Sequence, residues 1–231
     1  MKISMNQVLG CTSLALLIAA AAPSAQANLL SDPGFETNTL TTIANVLGDF
    51  VTYKGQWGVE NAVITGTVGA VVPFQGIKML AMLDDGLITT QSAQTIDVTS
   101  YASDIDAGGA KFQLSAFFNT DFETAGAIGG VILQFFSGSS YSTQVGSFAS
   151  GNITLDDNPL TWQQSSIHGF IPVGTRWFVA QVLCDDASLQ GHTCYVDATD
   201  LSIPEPTTMS LLVISGLFLR RRLRRFGGQS A

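Results

Sequence analysis

The sequence predicts an all-β fold, an antiparallel β-sandwich or jelly roll, over residues 28–203. No long segment there repeats apolar residues at the helical period of 3.6, and short runs alternate between apolar and polar residues instead. Clusters of Gly, Asp, Asn and Ser, which form turns, separate the runs. Strands with this spacing are typical of sandwiches and jelly rolls. No repeat or long linker divides them, so we expect one domain.

Three segments carry the strand pattern most clearly. A strand over 111–118 and a strand over 176–184 should each have one wholly apolar face. The apolar positions are Phe112, Leu114, Ala116 and Phe118 in the first strand, and Phe178, Ala180, Val182 and Cys184 in the second. Residues 131–136 are almost continuously apolar, which favours a strand inside a sheet.

Charge separates the middle of the chain from its ends. The 231 residues have a formal net charge of -8, and 46% of them are hydrophobic, enough for a packed core. Residues 28–203 hold four Lys and Arg against 17 Asp and Glu, a net charge of −13. Such an acidic domain lacks the basic footprint of nucleic-acid binders, so we expect no nucleic-acid partner.

Residues 1–27 have the pattern of a secretory signal peptide. A single lysine precedes the apolar run 14–22, which is too short for a membrane span. Ala25 and Ala27 form a small-x-small pattern, which predicts cleavage by signal peptidase before Asn28. An uncleaved N-terminal anchor is the alternative.

The C-terminal segment 204–226 combines three features in order. A Pro-Glu-Pro tripeptide is followed by an apolar run of 13 residues, 207–219, and then by an arginine cluster, 220–225. The tripeptide and the cluster consist of Pro204, Glu205, Pro206, Arg220, Arg221, Arg222, Arg224 and Arg225. As a helix the run would rise ~20 Å, so it could cross the ~30 Å hydrocarbon core only with snorkelling or thinning. The arginines should stay on the cytoplasmic side, which places the domain outside.

These three features in this order resemble the PEP-CTERM sorting signal of Gram-negative bacteria that make exopolysaccharide. The resemblance implies that an exosortase cleaves near Pro204, Glu205 and Pro206. The domain would be held transiently at the inner membrane and then passed to the cell surface or the extracellular matrix. A tail anchor without processing is the alternative.

A second resemblance concerns the domain itself. The segments NLLSDPGFET (28–37), KFQLSAFF (111–118), TWQQSSIHGFIP (161–172) and YVDATDLSI (195–203) follow one another along the chain. Together with segment 76–98 they resemble the strands of galactose-binding-like jelly rolls, the carbohydrate-binding-module type. One position departs from that pattern, because Ala198 stands where a second Asp is expected.

The jelly-roll resemblance implies a structural calcium site. In that family an acidic residue of the first strand and an Asp of the last strand bind the ion with backbone carbonyls, which corresponds to Glu36 and Asp197. Ca²⁺ takes 6–8 oxygen ligands, and an ion joining the two ends would stabilise the sandwich. Hydrogen-bonded or solvated carboxylates at strand ends are the alternative. No other cofactor is expected.

Cys184 and Cys194 flank a connection of nine residues, 185–193. Export would place both thiols in an oxidising compartment, where pairing is expected. Because each cysteine starts or ends a predicted strand, we predict a disulfide across the last hairpin. Such a bond requires Cα atoms within roughly 7 Å.

Catalytic motifs are absent from the sequence. It contains no GxSxG elbow, P-loop or GxGxxG, and its two histidines form no constellation with a nucleophile. The Asp pairs at 84–85, 156–157 and 185–186 lie at predicted turns, where Asp caps backbone amides. Glycosidase carboxyls must instead converge on one bond. We therefore expect no enzymatic activity and assign no catalytic residue.

Aromatic side chains are the candidate contacts for a glycan. Sugar rings present apolar faces, so a site needs exposed aromatics with amide or carboxylate partners. The candidates are Tyr53, Trp57, Tyr141, Trp162 and Trp177. Each has a core position as its alternative, because Trp is usually largely buried. Tyr53 and Trp57 are preferred, since they lie in the irregular stretch 51–59 and loops often carry binding.

These observations predict an exported, non-enzymatic surface or matrix protein that binds glycan in the exopolysaccharide. A structural or adhesive surface protein without a glycan site is the first alternative, and a surface glycosidase is the third hypothesis. An aromatic platform over a sheet would favour glycan binding. Buried tryptophans would favour the structural role, and two carboxylates converging in a cleft would favour the enzyme.

Overall fold

Eleven β-strands and one short α-helix build the described part of the chain. The computed structural model describes residues 27–37, 40–42, 54–83, 89–121, 126–156, 158–185 and 193–204. The elements are β1 (Leu40–Thr42), β2 (Trp57–Val59), β3 (Ala62–Thr65), β4 (Met79–Leu83), β5 (Thr89–Asp97), α1 (Ala102–Asp106), β6 (Lys111–Thr120), β7 (Ile128–Phe136), β8 (Ala149–Thr154), β9 (Gln163–Phe170), β10 (Trp177–Asp185) and β11 (Thr193–Ser202). Within these ranges no helix is long and apolar enough to cross a membrane.

The strands form two facing sheets. The six-stranded sheet has the order β1-β2-β5-β10-β7-β8, and the five-stranded sheet has the order β3-β4-β11-β6-β9. Neighbouring strands within each sheet are antiparallel, with one exception among the described pairs. The exception is the short pair β1 and β2, which is parallel. The predicted jelly-roll sandwich is therefore confirmed, with one parallel pair at an edge.

The core lies between the sheets, where alternate residues of each strand meet. The four apolar positions predicted for β6 and the four predicted for β10 are all buried in one cluster. The strand predicted over 131–136 lies inside the six-stranded sheet, with β10 and β8 as its neighbours. Burial of each large apolar side chain contributes about 1.5–3 kcal/mol, so the alternation read from the sequence also fixes which face of each strand points inward.

Cys184 and Cys194 are joined by a disulfide, with their Cα atoms 6.2 Å apart. We had predicted a bond across a hairpin, but β10 and β11 do not pair with each other. Cys184 ends β10 in the six-stranded sheet, whereas Cys194 begins β11 in the five-stranded sheet. Both residues belong to the buried cluster. The disulfide therefore links the two sheets through the core.

Replacing both Cys184 and Cys194 by Ala, which buries no polar group in the core, should lower the free energy of unfolding by about 2–3 kcal/mol, because the cross-link restricts the unfolded chain. Urea unfolding with and without dithiothreitol checks this. Reductant should lower the stability of the wild type to that of the double variant and leave the variant unchanged. A wild type indifferent to reductant would show that the bond is absent from the protein in solution.

Both ends of the domain leave the sandwich on the same side. The Asn28 side chain donates to Thr199 O at 2.7 Å and accepts from Leu201 N at 3.0 Å, so the chain enters beside the end of β11. Ser202 pairs with Gln113 near the start of β6. We call this side the terminal end. It also carries α1 and the connection 171–176, which are joined where Arg176 and Asp106 form an ion pair at 2.6 Å.

Several predicted features lie outside the described residues. They are Tyr53, Ala25, Glu205, Pro206, the apolar run 207–219 and the arginine cluster 220–225. The expectations for the signal peptide and the sorting signal therefore stay predictions.

Candidate functional site

Glu36 and Asp197 meet beside one segment, residues 74–78. Asp197 is fully buried at 0% exposure, and its Oδ2 accepts a hydrogen bond from Gln75 N at 2.9 Å. Glu36 Oε1 accepts bonds from the N–H groups of Ile77 at 3.0 Å and Lys78 at 3.1 Å. The first and last segments of the domain thus present two carboxylates to the same loop.

Local backbone conformation brings Glu36 into place. Asp32 Oδ1 accepts from Glu36 N at 2.7 Å, and Asp32 and Phe35 both have positive φ, so the turn around them is tight. Gly76 also has a positive φ, and a Cβ at that position would overlap Glu36 Oε1. Glycine is therefore required there on two counts, conformation and space.

Asp197 is oriented by a bulge in β11. The pairing of β11 with β6 shifts between Asp197 and Asp200, and Ala198 adopts φ 46°. Asp197 Oδ1 accepts from Ala198 N at 2.6 Å. The position where the family pattern expects an Asp thus has a left-handed backbone, which Asp and Asn adopt more readily than Ala.

Burial and the charge of Glu36 disfavour the ionised form of Asp197. The pKa of Asp197 is raised to about 6, mainly by burial and to a smaller extent by the charge of Glu36. Hydrogen bonds from the backbone N–H groups of Gln75, Ala198 and Phe74 oppose the shift. A cation beside the two carboxylates would favour their charged forms.

The described partners of both carboxylates are backbone N–H groups, as in the hydrogen-bonded alternative to a metal site. A carboxylate offers about four lone-pair sites, so both side chains keep acceptor capacity beyond the amides they bind. In the described part of the chain, no group of three or more His, Cys, Asp or Glu could hold a metal. The remaining ligands of an ion held by Glu36 and Asp197 would have to be backbone carbonyls, which calcium accepts and zinc does not favour. The pair is not a glycosidase dyad, because a fully buried Asp197 cannot flank a substrate bond.

Trp57 does not form an exposed platform, contrary to our expectation. Its side chain is 1% exposed and packs at 5.2 Å against the Phe35 ring. Its Nε1 donates to Asp32 O at 3.2 Å. Trp57 is therefore a core residue that holds the turn of residues 31–37 against the sandwich. It contributes to the edge of a hollow of about 320 Å³, which is otherwise lined by Ser31, Asp32, Thr37, Gly55 and Gln56.

Trp162 lies on the outer face of the five-stranded sheet, which a loop covers. Phe74 of that loop stacks on Phe117 of β6 with ring centroids 3.9 Å apart. Trp162 meets the edge of Phe74 at 6.0 Å and donates to Val72 O at 3.0 Å. Its ring and its N–H both serve to fasten the loop, while Phe74 of that loop remains 46% exposed.

The outer face of the six-stranded sheet combines amides with aromatic rings. We call Tyr141, Trp177, Gln181, Gln134 and Asn152 the amide–aromatic face. Gln181 donates to Gln134 Oε1 at 3.4 Å, and Tyr141 is hydrogen-bonded to Gln181. Burial raises the pKa of the Tyr141 hydroxyl, and the bond to Gln181 opposes that shift. Tyr141, Gln181 and Gln134 thus form a hydrogen-bonded row beside a buried cluster that includes Phe136, Trp177 and Val179.

The two ends of the amide–aromatic face differ in character. At one end Trp177 is 9% exposed, with Lys54 Nζ 5.5 Å from its ring centroid. Lys54 is held there by an ion pair with Asp97 at 2.9 Å. At the other end the exposed Asn152 side chain lies over Gly130, where a Cβ would overlap its Oδ1. Because Gly130 has no side chain, the Asn152 carboxamide fits above it.

From the sequence we named Tyr141 and Trp177 of this face as candidates but missed the amides, although a signal for the glutamines was present. Gln134 interrupts the apolar run 131–136, and Gln181 lies within the apolar strand 176–184. In each case the glutamine occupies an outward position of a strand whose inward positions are apolar. An amide at such a position points to a polar function of the outer face.

Comparisons with known proteins extend to the fold alone. No protein-family model and no curated protein matches the chain. It is similar to the module TmCBM61, solved in complex with β-1,4-galactotriose, with 16% identity, 77% of this chain and 99% of that chain covered, and a TM-score of 0.49. It is also similar to the second family 16 carbohydrate-binding module, with 15% identity, coverage of 75% and 99%, and a TM-score of 0.47.

A phage enzyme domain shows a similar degree of likeness. The enzymatically active domain of tailspike protein 4 from bacteriophage CBA120 has 16% identity and a TM-score of 0.42. The similarity covers 71% of this chain but 21% of that one. At these values the likeness concerns the sandwich architecture, so any function must be argued from this chain's own residues.

Proposed function

We propose that the chain is an exported, non-enzymatic protein of the cell surface or extracellular matrix, and that its amide–aromatic face binds glycan of the exopolysaccharide. The observation that carries the glycan part is the hydrogen-bonded row Tyr141, Gln181 and Gln134 beside Trp177. Glycan sites pair ring faces with a few oriented polar groups. Export and sorting rest on the sequence features of residues 1–27 and 204–226.

Affinity electrophoresis tests glycan binding with residues 28–203 and the exopolysaccharide purified from the producing bacterium. Circular dichroism first checks that the protein is folded. The double variant Gln134→Ala/Asn152→Ala should bind about tenfold more weakly, because two hydrogen bonds of about 0.5–1.5 kcal/mol each are lost. Gln164→Ala is the matched control, since that exposed amide lies on the outer face of the other sheet. It should leave retardation unchanged.

Three outcomes are informative. Retardation lost in the double variant alone supports the amide–aromatic face as the binding site. Equal retardation of all three proteins would place the glycan elsewhere on the domain. No retardation of the folded wild type would favour the structural or adhesive alternative. The deep burial of Trp57 and Trp177 is the observation on which that alternative rests.

The proposed function includes a structural calcium ion held by Glu36 and Asp197. Support comes from the convergence of both carboxylates on residues 74–78 and from the raised pKa of Asp197. The ion would connect the first segment of the domain to its last strand. A domain of net charge −13 would repel an acidic polysaccharide, and an ion at the fully buried Asp197 could not bridge the two.

The proposed partners in processing are signal peptidase at Ala27 and Asn28, and an exosortase near Pro204. Mass spectrometry of the protein released from the producing cells tests both. A mature chain that begins at Asn28 and lacks the arginine cluster is expected. A chain retaining residues 207–225 in the membrane fraction would favour the unprocessed tail anchor.

A further inference from the structure

We propose that the terminal end of the sandwich rests on the lipid surface while the chain is still held by its C-terminal segment. This inference depends on the proposed insertion of residues 207–219 into the inner membrane. It adds which surface of the folded domain meets the lipid headgroups, and which side chains make the contact.

Two of the exposed large apolar side chains lie at this end. Phe170 is 65% exposed and Val173 is 60% exposed. Phe170 closes β9 and pairs with Lys111 at the start of β6. Val173 follows in the connection from β9 to β10. Its Cγ2 would lie 3.8 Å from a Cβ placed on Gly108, so Val173 is a neighbour of the turn after α1. Large apolar groups on an otherwise polar surface mark interaction sites when they lie together.

The exit point of the chain lies in the same row. Ser202 pairs with Gln113, so continuing this register by two residues brings Pro204 beside Lys111. Lys111 in turn pairs with Phe170 on the far side of β6. Neighbouring strands lie about 4.8 Å apart, which separates Pro204 from Phe170 by roughly 10 Å.

The connection to the apolar run is too short to hold the domain away from the bilayer. Three residues, 204–206, separate Ile203 from the run that begins at Thr207. Fully extended, those links reach at most about 14 Å. The headgroup region on one side of a bilayer takes up about 5–7 Å of that reach. The remaining distance is smaller than the sandwich, so its nearest surface must lie against the headgroups.

The N-terminus independently indicates the same orientation. Asn28 is bonded to Thr199 and Leu201, at the terminal end. A signal peptide still attached to Asn28 would therefore leave the domain from this side too. Both predicted cleavage sites thus lie on the surface that faces the membrane-bound peptidases.

The terminal end carries exposed charges of both signs, Lys111 at the start of β6 and Asp104 in α1. The Phe170 ring lies 5.2 Å from Lys111 Nζ, a cation suited to lipid phosphate. Arg176 and Asp106 neutralise each other in their ion pair. The contact therefore depends on Phe170, Val173 and Lys111 rather than on the domain as a whole, whose net charge of −13 would repel anionic lipid.

The test uses the chain from Asn28 to Ala231 in vesicles of phosphatidylethanolamine and phosphatidylglycerol. Single cysteines carry an environment-sensitive fluorophore, and nitroxide-labelled lipids quench it. Test sites are Phe170→Cys and Val173→Cys, and the control is Leu160→Cys, 76% exposed in the turn before β9 at the opposite end. Ser215→Cys, within the apolar run, reports insertion of the segment independently.

Quenching at Phe170 and Val173 should exceed that at Leu160 by about threefold, since apolar groups at an interface sink ~5–10 Å into the headgroup boundary. If the Ser215 label is quenched while the three domain sites behave alike, the membrane segment stands and the proposed orientation is wrong. If the Ser215 label is not quenched, membrane insertion fails, and this inference fails with it.

Discussion

Replacing Trp57 by Ala is expected to lower the free energy of unfolding by about 3–5 kcal/mol, the usual cost of removing a large buried aromatic side chain. Trp57 is almost fully buried, contacts Phe35 and donates to Asp32 O. The variant therefore loses packing and one of the two hydrogen bonds to Asp32 O, which keeps the bond from Phe35 N. Domains are stable by about 5–15 kcal/mol, so this single change should bring the protein near its threshold.

Urea unfolding of residues 28–203 measures the effect, with Trp162→Ala as the matched control. Trp162 is partly exposed, so the same truncation there should cost less than half as much. Glycan retardation of any folded Trp57→Ala protein should match that of the wild type. A stable variant that no longer binds exopolysaccharide would return Trp57 to the role of ligand contact.

Calcium should stabilise the wild type and not the variant Glu36→Gln. An ion at a hundredfold excess over its Kd adds about 2.7 kcal/mol to the free energy of unfolding. In Glu36→Gln the retained oxygen can still accept from Ile77 N and Lys78 N, so stability in chelator should change little. Loss of one carboxylate charge should remove most of the calcium effect.

Asp197→Asn separates the structural role of the second carboxylate from its role toward the ion. Both Asp197 oxygens accept backbone N–H bonds, so an amide would point its NH₂ at one of those donors. Stability should fall by about 1–3 kcal/mol even in chelator, the cost of an unsatisfied buried group. Calorimetry with and without calcium checks both variants. A wild type indifferent to calcium, or Glu36→Gln with the full calcium shift, would leave both carboxylates as hydrogen-bond acceptors only.

The inward faces of β6 and β10 could be predicted because alternation is a local signal. Each apolar position lies two residues from the next, and burial of that face follows directly. The partner of each strand could not be predicted in the same way. Cys184 and Cys194 are close in sequence, yet their strands belong to different sheets, because β10 and β11 pair with strands far away along the chain.

In the candidate site, too, some residues could be named from the sequence, whereas others depend on pairing between distant parts of the chain. Glu36 and Asp197 could be named from a resemblance, but their common partner, residues 74–78, lies in a loop without a sequence pattern of its own. Trp57 was misassigned because its burial depends on the long-range pairing of β2 with β5. The amide–aromatic face depends on β10 and β7 lying side by side, which no single strand reveals.

The position of β11 has a consequence for when the protein folds. It is the last strand in the chain, yet it lies between β4 and β6 in the five-stranded sheet, and the side chain of Asn28 bonds to it across 173 residues. Non-local pairings of this kind form slowly. The sheet cannot be completed until residue 202 is available, and the apolar run begins only a few residues later. Under the proposed export and sorting, folding would end on a chain held at the membrane, and the rate of strand insertion would compete with the rate of tail cleavage to decide whether a native or an unfinished domain is released.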